Sequence, residues 1–411
     1  MHRRIRHLAL AAALLPLTAC SAAATDDPWT LDPSITVWAD ESRAAALEEL
    51  GALYTAETGV TVDVVGRDNE TIRDDFTAAA DRGDGPDVLV GAHDWLGELV
   101  VAGRVLAIEL PDPAAFVPVA VEAMAYDSVT YGVPLSTENV ALVRNDALVS
   151  TTPARFDELL AQGDELVRRG AADYPVLVQQ TEGASDPYHL YPLQTSFGAP
   201  VFATHEDGSY SDQLALGGDA GHAFADYLAV LGEKGVLSPA ITADVAKAAF
   251  LAGRSPYIVT GPWNTGEFLD AGLQISVLPV PSAGPLPSQP FVGVQGAFVN
   301  SGSLRPTESV DFVTRFLTTP EAQVALYEDS GRAPALRAAV EQITDDAVVR
   351  GFSAAGADGA PMPSIPQMAV VWTYWGGSEH LVISRSGDAH QLWDDLVTSI
   401  SSAIAAGAVD Q

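Results

Sequence analysis

The chain reads as an α/β protein large enough for two lobes, and three observations carry that reading. Short runs rich in β-branched residues alternate with stretches of helical periodicity. The first two such runs flank a single helical stretch, as a βαβ unit requires. The 411 residues, 47% of them hydrophobic, suffice for two cores at roughly 150 residues per domain. With 18% charged residues the chain is globular rather than disordered.

The N-terminus is a leader. Residues 2–7 are basic, residues 8–16 are a short apolar run, and Leu17-Thr18-Ala19-Cys20 follows. The apolar run is too short to span a bilayer, which takes about 20 residues, so it predicts a secretory signal over residues 1–19. The four residues ending in Cys20 resemble a bacterial lipobox, in which the Cys thiol is diacylated and becomes the mature N-terminus. Cys20 is the only cysteine, and it sits where cleavage is expected. Two acyl chains anchor stably where one does not. No intrachain disulfide is possible. Residues 20–30, small and polar with Pro28, predict a tether. The formal charge is −33, and loss of residues 1–19 takes it to −36 by removing Arg3, Arg4 and Arg6. Such a chain repels nucleic acid and anionic lipid surfaces, which sets those partners aside.

In order, residues 35–39 predict a strand. Leu47, Leu50 and Leu53 predict one face of a helix that stops at Thr58-Gly59, and residues 60–65 predict the next strand. Ile72, Phe76 and Ala80 mark a second helix. Gly83-Asp84-Gly85-Pro86-Asp87 then turns into a third strand that ends in His93-Asp94-Trp95. Phe156, Leu159, Leu160 and Leu166 predict a helix, residues 176–178 a strand, and residues 224–231 another helix. Residues 257–260, bounded by Pro256 and Gly261-Pro262, form a short buried strand. Trp263 follows its carboxyl end, where an open α/β sheet presents its binding crevice. Trp263 is therefore either a stacking face for a ligand or a core residue capping the sheet. The proline-rich residues 279–290 predict a rigid surface loop that leads into a strand over 291–299. Phe312, Phe316 and Leu317 predict a first-lobe helix. Leu392, Trp393, Leu396 and Ile400 predict a terminal one with Trp393 in the core.

Five stretches carry a family resemblance. They are Gly83-Asp84-Gly85-Pro86-Asp87 with its strand and Ala92-His93-Asp94; Tyr131-Gly132-Val133-Pro134 with Glu138; Thr260-Gly261-Pro262-Trp263; Pro290-Phe291-Val292-Gly293-Val294; and Ile365-Pro366-Gln367-Met368 with Trp372. In order and spacing the chain resembles the maltose-binding proteins, the substrate-binding components of ABC sugar importers. The resemblance implies a periplasmic-binding-protein-like fold: two α/β lobes with a ligand cleft between them, joined by three hinge crossings. The crossings are expected near Glu138, over residues 291–297 and over residues 332–335. The N-lobe is then 31–138 with 297–333, and the C-lobe 139–296 with 334–411.

By the same resemblance Asp94 and Glu138 bond sugar hydroxyls, Trp263 and Trp372 stack on rings, and Asp186 and Tyr188 match an acidic-Pro-Tyr motif. Asp40, Arg43, Trp95 and Trp375 complete the expected ligand-binding set. Tyr191 is expected to pack under its loop. The chain departs from the family pattern at Gly91, Trp95, Thr373 and Gly376, losing a stacking face at 91 and gaining one at 95. The residue types suit a sugar. Aromatics cover the apolar C–H face of a pyranose, carboxylates accept two hydrogen bonds, and guanidinium groups donate several in a fixed fork.

His93 with Asp94 does not make a metal site on spacing grounds. His189, His205, His222, His380 and His390 show no paired ligand spacing, and there is no second Cys. Neither a Gly-x-Ser-x-Gly elbow nor a phosphate-binding loop is present. The expectation is a lipid-anchored, extracytoplasmic, monomeric binding protein without cofactor or catalysis. It would capture maltose or maltodextrins and hand them to an ABC permease. The alternatives are the same fold with trehalose, sucrose or a β-linked sugar, and a glycoside hydrolase using Asp94 and Glu138.

Overall fold

The computed structural model describes residues 33–205 and 209–407. The leader, Cys20 and the tether expected over 20–30 lie outside the described residues. In chain order, the strands of the two main sheets are β1 (Ser34–Asp40), β2 (Thr61–Arg67), β3 (Val88–Ala92), β4 (Gly132–Glu138), β5 (Ala141–Asn145), β6 (Leu177–Val178), β7 (Tyr257–Thr260), β8 (Ile275–Leu278), β9 (Phe291–Val299), β10 (Ala333–Pro334) and β11 (Ala360–Pro361). Five helices bear on the site and its surroundings: α1 (Glu41–Thr58), α2 (Pro187–Ser196), α3 (Gly218–Glu233), α4 (Gln367–Ile383) and α5 (Ala389–Ala405).

The first sheet has the order β10-β4-β9-β3-β1-β2, with β11 also pairing β9. β1 is parallel to β2 and β3, as the βαβ pattern requires. β9 is antiparallel to both β3 and β4, so the sheet is mixed. The second sheet has the order β8-β5-β7-β6. Its strands are short and apolar because both faces are covered. Leu142, Val178 and Val259 point into one cluster with Trp375 and Trp393. Val143, Leu177 and Ile258 alternate with them and point into another cluster with Phe250 and Phe268.

Two cores follow from this. One gathers residues between 35 and 135 and again between 294 and 339. The other lies around the second sheet. The chain passes between them from Glu138 to Val140, and again along β9, where Phe291 belongs to the second core and Val294 to the first. The third passage is later than residues 332–335. β10 pairs with β4, and that pairing keeps Ala335, Leu336 and Ala339 in the first core. The chain reaches the second lobe only by Val348, which packs with Phe352.

α1 shows a second departure. Leu47 and Leu50 are buried, but Leu53 is 62% exposed and Tyr54 takes its place in the core. Positions 47, 50 and 54 lie on one side of a helix of 3.6 residues per turn, and position 53 does not. Gly59 stops α1 in a left-handed conformation (φ 79°) that its lack of a Cβ permits. The loop over 279–290 is fastened rather than free. Val280 and Ala283 are buried, and the Arg155 guanidinium donates to the carbonyls of Ala283 and Gly284 at 2.6 Å each.

Candidate functional site

The turn after β7 is built so that an indole can fold back on the backbone. Pro262–Asn264 form one turn of 3-10 helix, fastened by the Thr265 hydroxyl donating to the Pro262 carbonyl at 2.7 Å. A Cβ at Gly261 would stand 2.0 Å from the Trp263 ring, so glycine is required there. Trp263 is half-buried, not a core residue. Its ring meets Tyr188 at 6.4 Å, the His189 edge at 5.9 Å and the Arg332 guanidinium at 5.3 Å. The turn after β3 repeats the device: a Cβ at Gly91 would stand 2.0 Å from the Trp95 ring. The stacking face missing at Gly91 is thus filled by the half-buried Trp95 itself, which packs against the first core.

A polar chain crosses the floor of the cleft. Asp40 caps α1, accepting from the Ser42 backbone N–H at 2.9 Å and from the Ser42 hydroxyl at 2.5 Å, and it pairs with Arg43. The Ser42 hydroxyl also accepts from Arg332 Nη1 at 2.8 Å. Arg332 Nε pairs with Glu138 Oε2, and Gln295 Nε2 donates to Glu138 Oε1 at 2.5 Å. Burial alone would raise the Glu138 carboxyl, but Arg332 and Arg43 outweigh it and hold the group below its ordinary value. Burial, with Arg332 nearby, pushes the Arg43 guanidinium down to about 9, and its Nε and Nη1 have no protein partner.

Asp94 faces the other lobe. It sits in the 3-10 turn His93–Trp95, and its Oδ2 accepts from the Trp372 indole N–H at 2.8 Å. Its Oδ1 is buried without a partner, and burial raises its pKa against the lowering effects of His93 and Trp372. His93 holds the turn in place. The Val294 N–H donates to Nδ1 at 3.1 Å, so Nε2 carries the ring proton and donates to the Met362 carbonyl at 3.0 Å. Burial lowers its pKa and keeps the ring neutral. With both nitrogens spent on backbone, its role is structural.

In the second lobe Asp186 caps α2 and accepts from the His189 N–H at 3.2 Å and from Gln179 Nε2 at 2.8 Å. His189 Nδ1 lies 2.8 Å from the same carboxylate. Asp186 therefore serves chiefly to hold α2, which presents Tyr188. The Tyr188 hydroxyl is buried without a partner, and burial, with Glu138 nearby, raises its pKa well above the ordinary value. Gly293 leaves the space between them: a Cβ there would stand 3.0 Å from Glu138 Cγ and 3.6 Å from the Tyr188 hydroxyl.

Trp375 corrects an expectation. It is fully buried, edge-on to Tyr191 and Phe291, and backs Trp372 at 5.4 Å. One turn of α4 separates the two indoles, and only the half-buried Trp372 reaches Asp94. Tyr191 and Trp393 are core residues, as expected.

Asp94, Glu138 and Arg43 from one lobe thus stand with Tyr188, Trp263 and Trp372 from the other. Residues 49–350 match the family described as bacterial extracellular solute-binding protein. The chain belongs to that family. Among relatives of this solute-binding protein, the maltotriose-binding protein of Pyrococcus abyssi is 27% identical over 323 residues, covering 76% of this chain and 68% of that one. A maltooligosaccharide ABC transporter solute-binding lipoprotein of Streptococcus pneumoniae is 25% identical over 406 residues, covering 95% of each chain. The solved structure of the Thermus thermophilus maltotriose binding protein with maltotriose matches with a TM-score of 0.82 at 32% identity, covering 90% of this chain and all of that one.

Sequence reading missed Ser42, Gln295 and Arg332. Arg332 had a visible signal, a lone Arg in Gly331-Arg332-Ala333-Pro334 at an expected hinge. Its partner, 194 positions away, is set by the pairing of β10 with β4.

Proposed function

We propose that this solute-binding protein captures maltose or maltooligosaccharides by closure of its two lobes and delivers them to an ABC permease. The observation that carries the proposal is the bond from the Trp372 indole to Asp94, which joins the lobes within a set of aromatic faces and hydroxyl-pairing groups. A ligand touching both lobes favours the closed form over the open one. The names of the maltotriose- and maltooligosaccharide-binding relatives support the choice of sugar. Asp94, Glu138, Arg43, Tyr188, Trp263, Trp372 and Trp95 contact the sugar, while Asp40 and Asp186 orient their neighbours. Calorimetry against maltose, maltotriose, trehalose, sucrose and a β-linked sugar tests the reading. A preference for any of the last three over maltose and maltotriose would move the ligand elsewhere on the same fold.

Binding proceeds without turnover. The solute-binding family supports this; burial raises Asp94 toward the protonated form a general acid needs, but both Glu138 oxygens are already bonded to Arg332 and Gln295, which makes it a poor nucleophile or base. Glucose released from maltotriose on incubation would overturn this.

Trp263→Ala separates a ligand platform from a packing residue. Because the indole is half-buried, apo stability is expected to fall by only about 1–2 kcal/mol. Maltotriose affinity is expected to drop at least tenfold, about 1.4 kcal/mol. Trp263→Phe keeps a flat ring and retains much of the binding. Urea melts beside titrations read both quantities, and a larger stability loss with normal affinity would return Trp263 to a packing role.

Cys20 is the proposed lipid anchor of a monomeric protein on the extracytoplasmic face. Cys20→Ala is expected to abolish acylation, and detergent partitioning checks it. Wild-type protein that stays in the aqueous phase with residues 1–19 uncleaved would rule the anchor out.

A further inference from the structure

One buried carboxyl group lies beneath both aromatic faces of the second lobe's binding wall. Glu379 follows Trp375 by one turn on the same side of α4, and both are fully buried. The loop over residues 181–186 seats on this stretch of helix. The Ser185 N–H donates to the Gly376 carbonyl at 2.9 Å, and the Thr181 hydroxyl donates to the Ser185 carbonyl at 2.7 Å. A Cβ at Gly376 would stand 2.9 Å from the Ser185 carbonyl oxygen, so glycine at 376 lets the loop approach.

Four polar atoms are gathered in this interior. Ser185 Oγ, Trp375 Nε1 and both Glu379 carboxyl oxygens are buried, and none has a partner at hydrogen-bonding geometry. Ser185 and Trp375 lie close enough to act on the carboxyl group. A neutral carboxylic acid suits both. Its O–H donates to the hydroxyl oxygen, and its carbonyl accepts from the indole, which can only donate. Small side-chain rotations complete the two bonds.

The two partners lead to the two aromatic faces. Trp375 backs Trp372 with ring centroids 5.4 Å apart. Ser185 precedes Asp186, which caps α2 and so places Tyr188. We propose that Glu379, as the neutral acid, is a positioning residue for the sugar, tying Trp372 and Tyr188 into one wall through Trp375 and Ser185. This role rests on the sugar reading and adds a residue that the sugar does not touch.

The surroundings favour the acid. Burial, with the Asp186 charge nearby, holds the group up to about 8. Asp186 is itself paired with His189, and Tyr191 of α2 packs edge-on to Trp375. α5 brings Leu396 and Ile400 to the same core. α3 meets α4 farther along, where Gly232 abuts Ile383 and Glu233 pairs with Arg385. The first lobe reaches α4 through Asp94 at Trp372, two turns away. Below pH 8 the acid is neutral and the wall is held. Ionisation as pH rises through about 8 places a second negative charge beside Asp186 and loosens it.

The test compares the parent with Glu379→Gln and Glu379→Leu in two readouts. Without sugar, tryptophan fluorescence of the parent is expected to show a transition near pH 8 that is absent from Glu379→Gln. With maltotriose, the calorimetric affinity of the parent is expected to fall roughly fivefold more between pH 6.5 and 9 than that of Glu379→Gln. The glutamine amide donates to Ser185 and accepts from Trp375 at every pH, and groups shared by the two proteins cancel in the comparison. Glu379→Leu removes both bonds, so at pH 6.5 it is expected to melt cooperatively yet bind maltotriose roughly fivefold more weakly than the parent. Parallel pH curves for the parent and Glu379→Gln in both readouts would overturn the proposal, as would parent-like affinity in folded Glu379→Leu. Absence of sugar binding by the parent at pH 6.5 would count against the sugar reading instead, and the fluorescence comparison would then decide for or against the Glu379 contact.

Discussion

Arg332→Met is expected to destabilise the sugar-free protein by about 3–5 kcal/mol, because it strands the Glu138 carboxylate in a buried position. Both side chains are only 7% exposed, and Arg332 also bonds Ser42 and covers one face of Trp263. Maltotriose binding is expected to fall below detection by calorimetry. The loss removes a charge partner from Glu138 and a support from the indole together. Glu138→Gln combined with Arg332→Met removes both charges, so it is expected to recover most of the stability and little of the binding. Urea melts of the two single variants and the double variant measure the coupling. A loss below about 1 kcal/mol in Arg332→Met, the range of exposed pairs, would show that the pair is solvated in solution.

Glu379→Gln is expected to stabilise the protein at pH 7–8, by about 3 kcal/mol at pH 7. Glu379 lies on α4, is fully buried, and neither carboxylate oxygen has a partner at hydrogen-bonding geometry. Burial, with the Asp186 charge nearby, pushes the group up to about 8 from an ordinary 4.5; Ser185 and Trp375 lie close enough to oppose this only in part. The native state thus keeps a proton that the unfolded chain has released between those two values. Stability from this group is greatest below pH 4.5, falls as pH rises, and levels off above about 8. Glutamine keeps the shape and does not ionise, so the variant's stability should be flatter across that window. Urea melts from pH 5 to 9 compare the slopes. Parallel curves for the two proteins would mean that Glu379 titrates near its ordinary value.

Local chemistry made much of the fold legible. The runs that became β1, β2, β3 and β7 were readable because each is short, rich in β-branched residues and bordered on at least one side by a nearby Gly or Pro. Gly59 and Gly83 marked helix ends for the same steric reason. The five family stretches located Asp94, Glu138, Trp263 and Trp372 before any contact was known. Spacing misjudged positions where depth decides: Trp372 and Trp375 sit one turn apart, yet one reaches Asp94 and the other lies in the core. Leu53 failed by phase, six residues from Leu47 on a helix of 3.6 residues per turn.

By itself the sequence determined the order of strands and helices, the turns that carry Asp94 and Trp263, and the kind of ligand such side chains suit. Each of these rests on residues within one turn or one strand of each other. The tertiary structure alone decided that β9 runs antiparallel between β3 and β4, and that the last passage between lobes follows Ala339. It alone decided that Arg332 finds Glu138 and that His222 meets His390. Those pairings join residues more than 150 positions apart, and strand register and helix contact fix them, leaving no periodic trace in either segment.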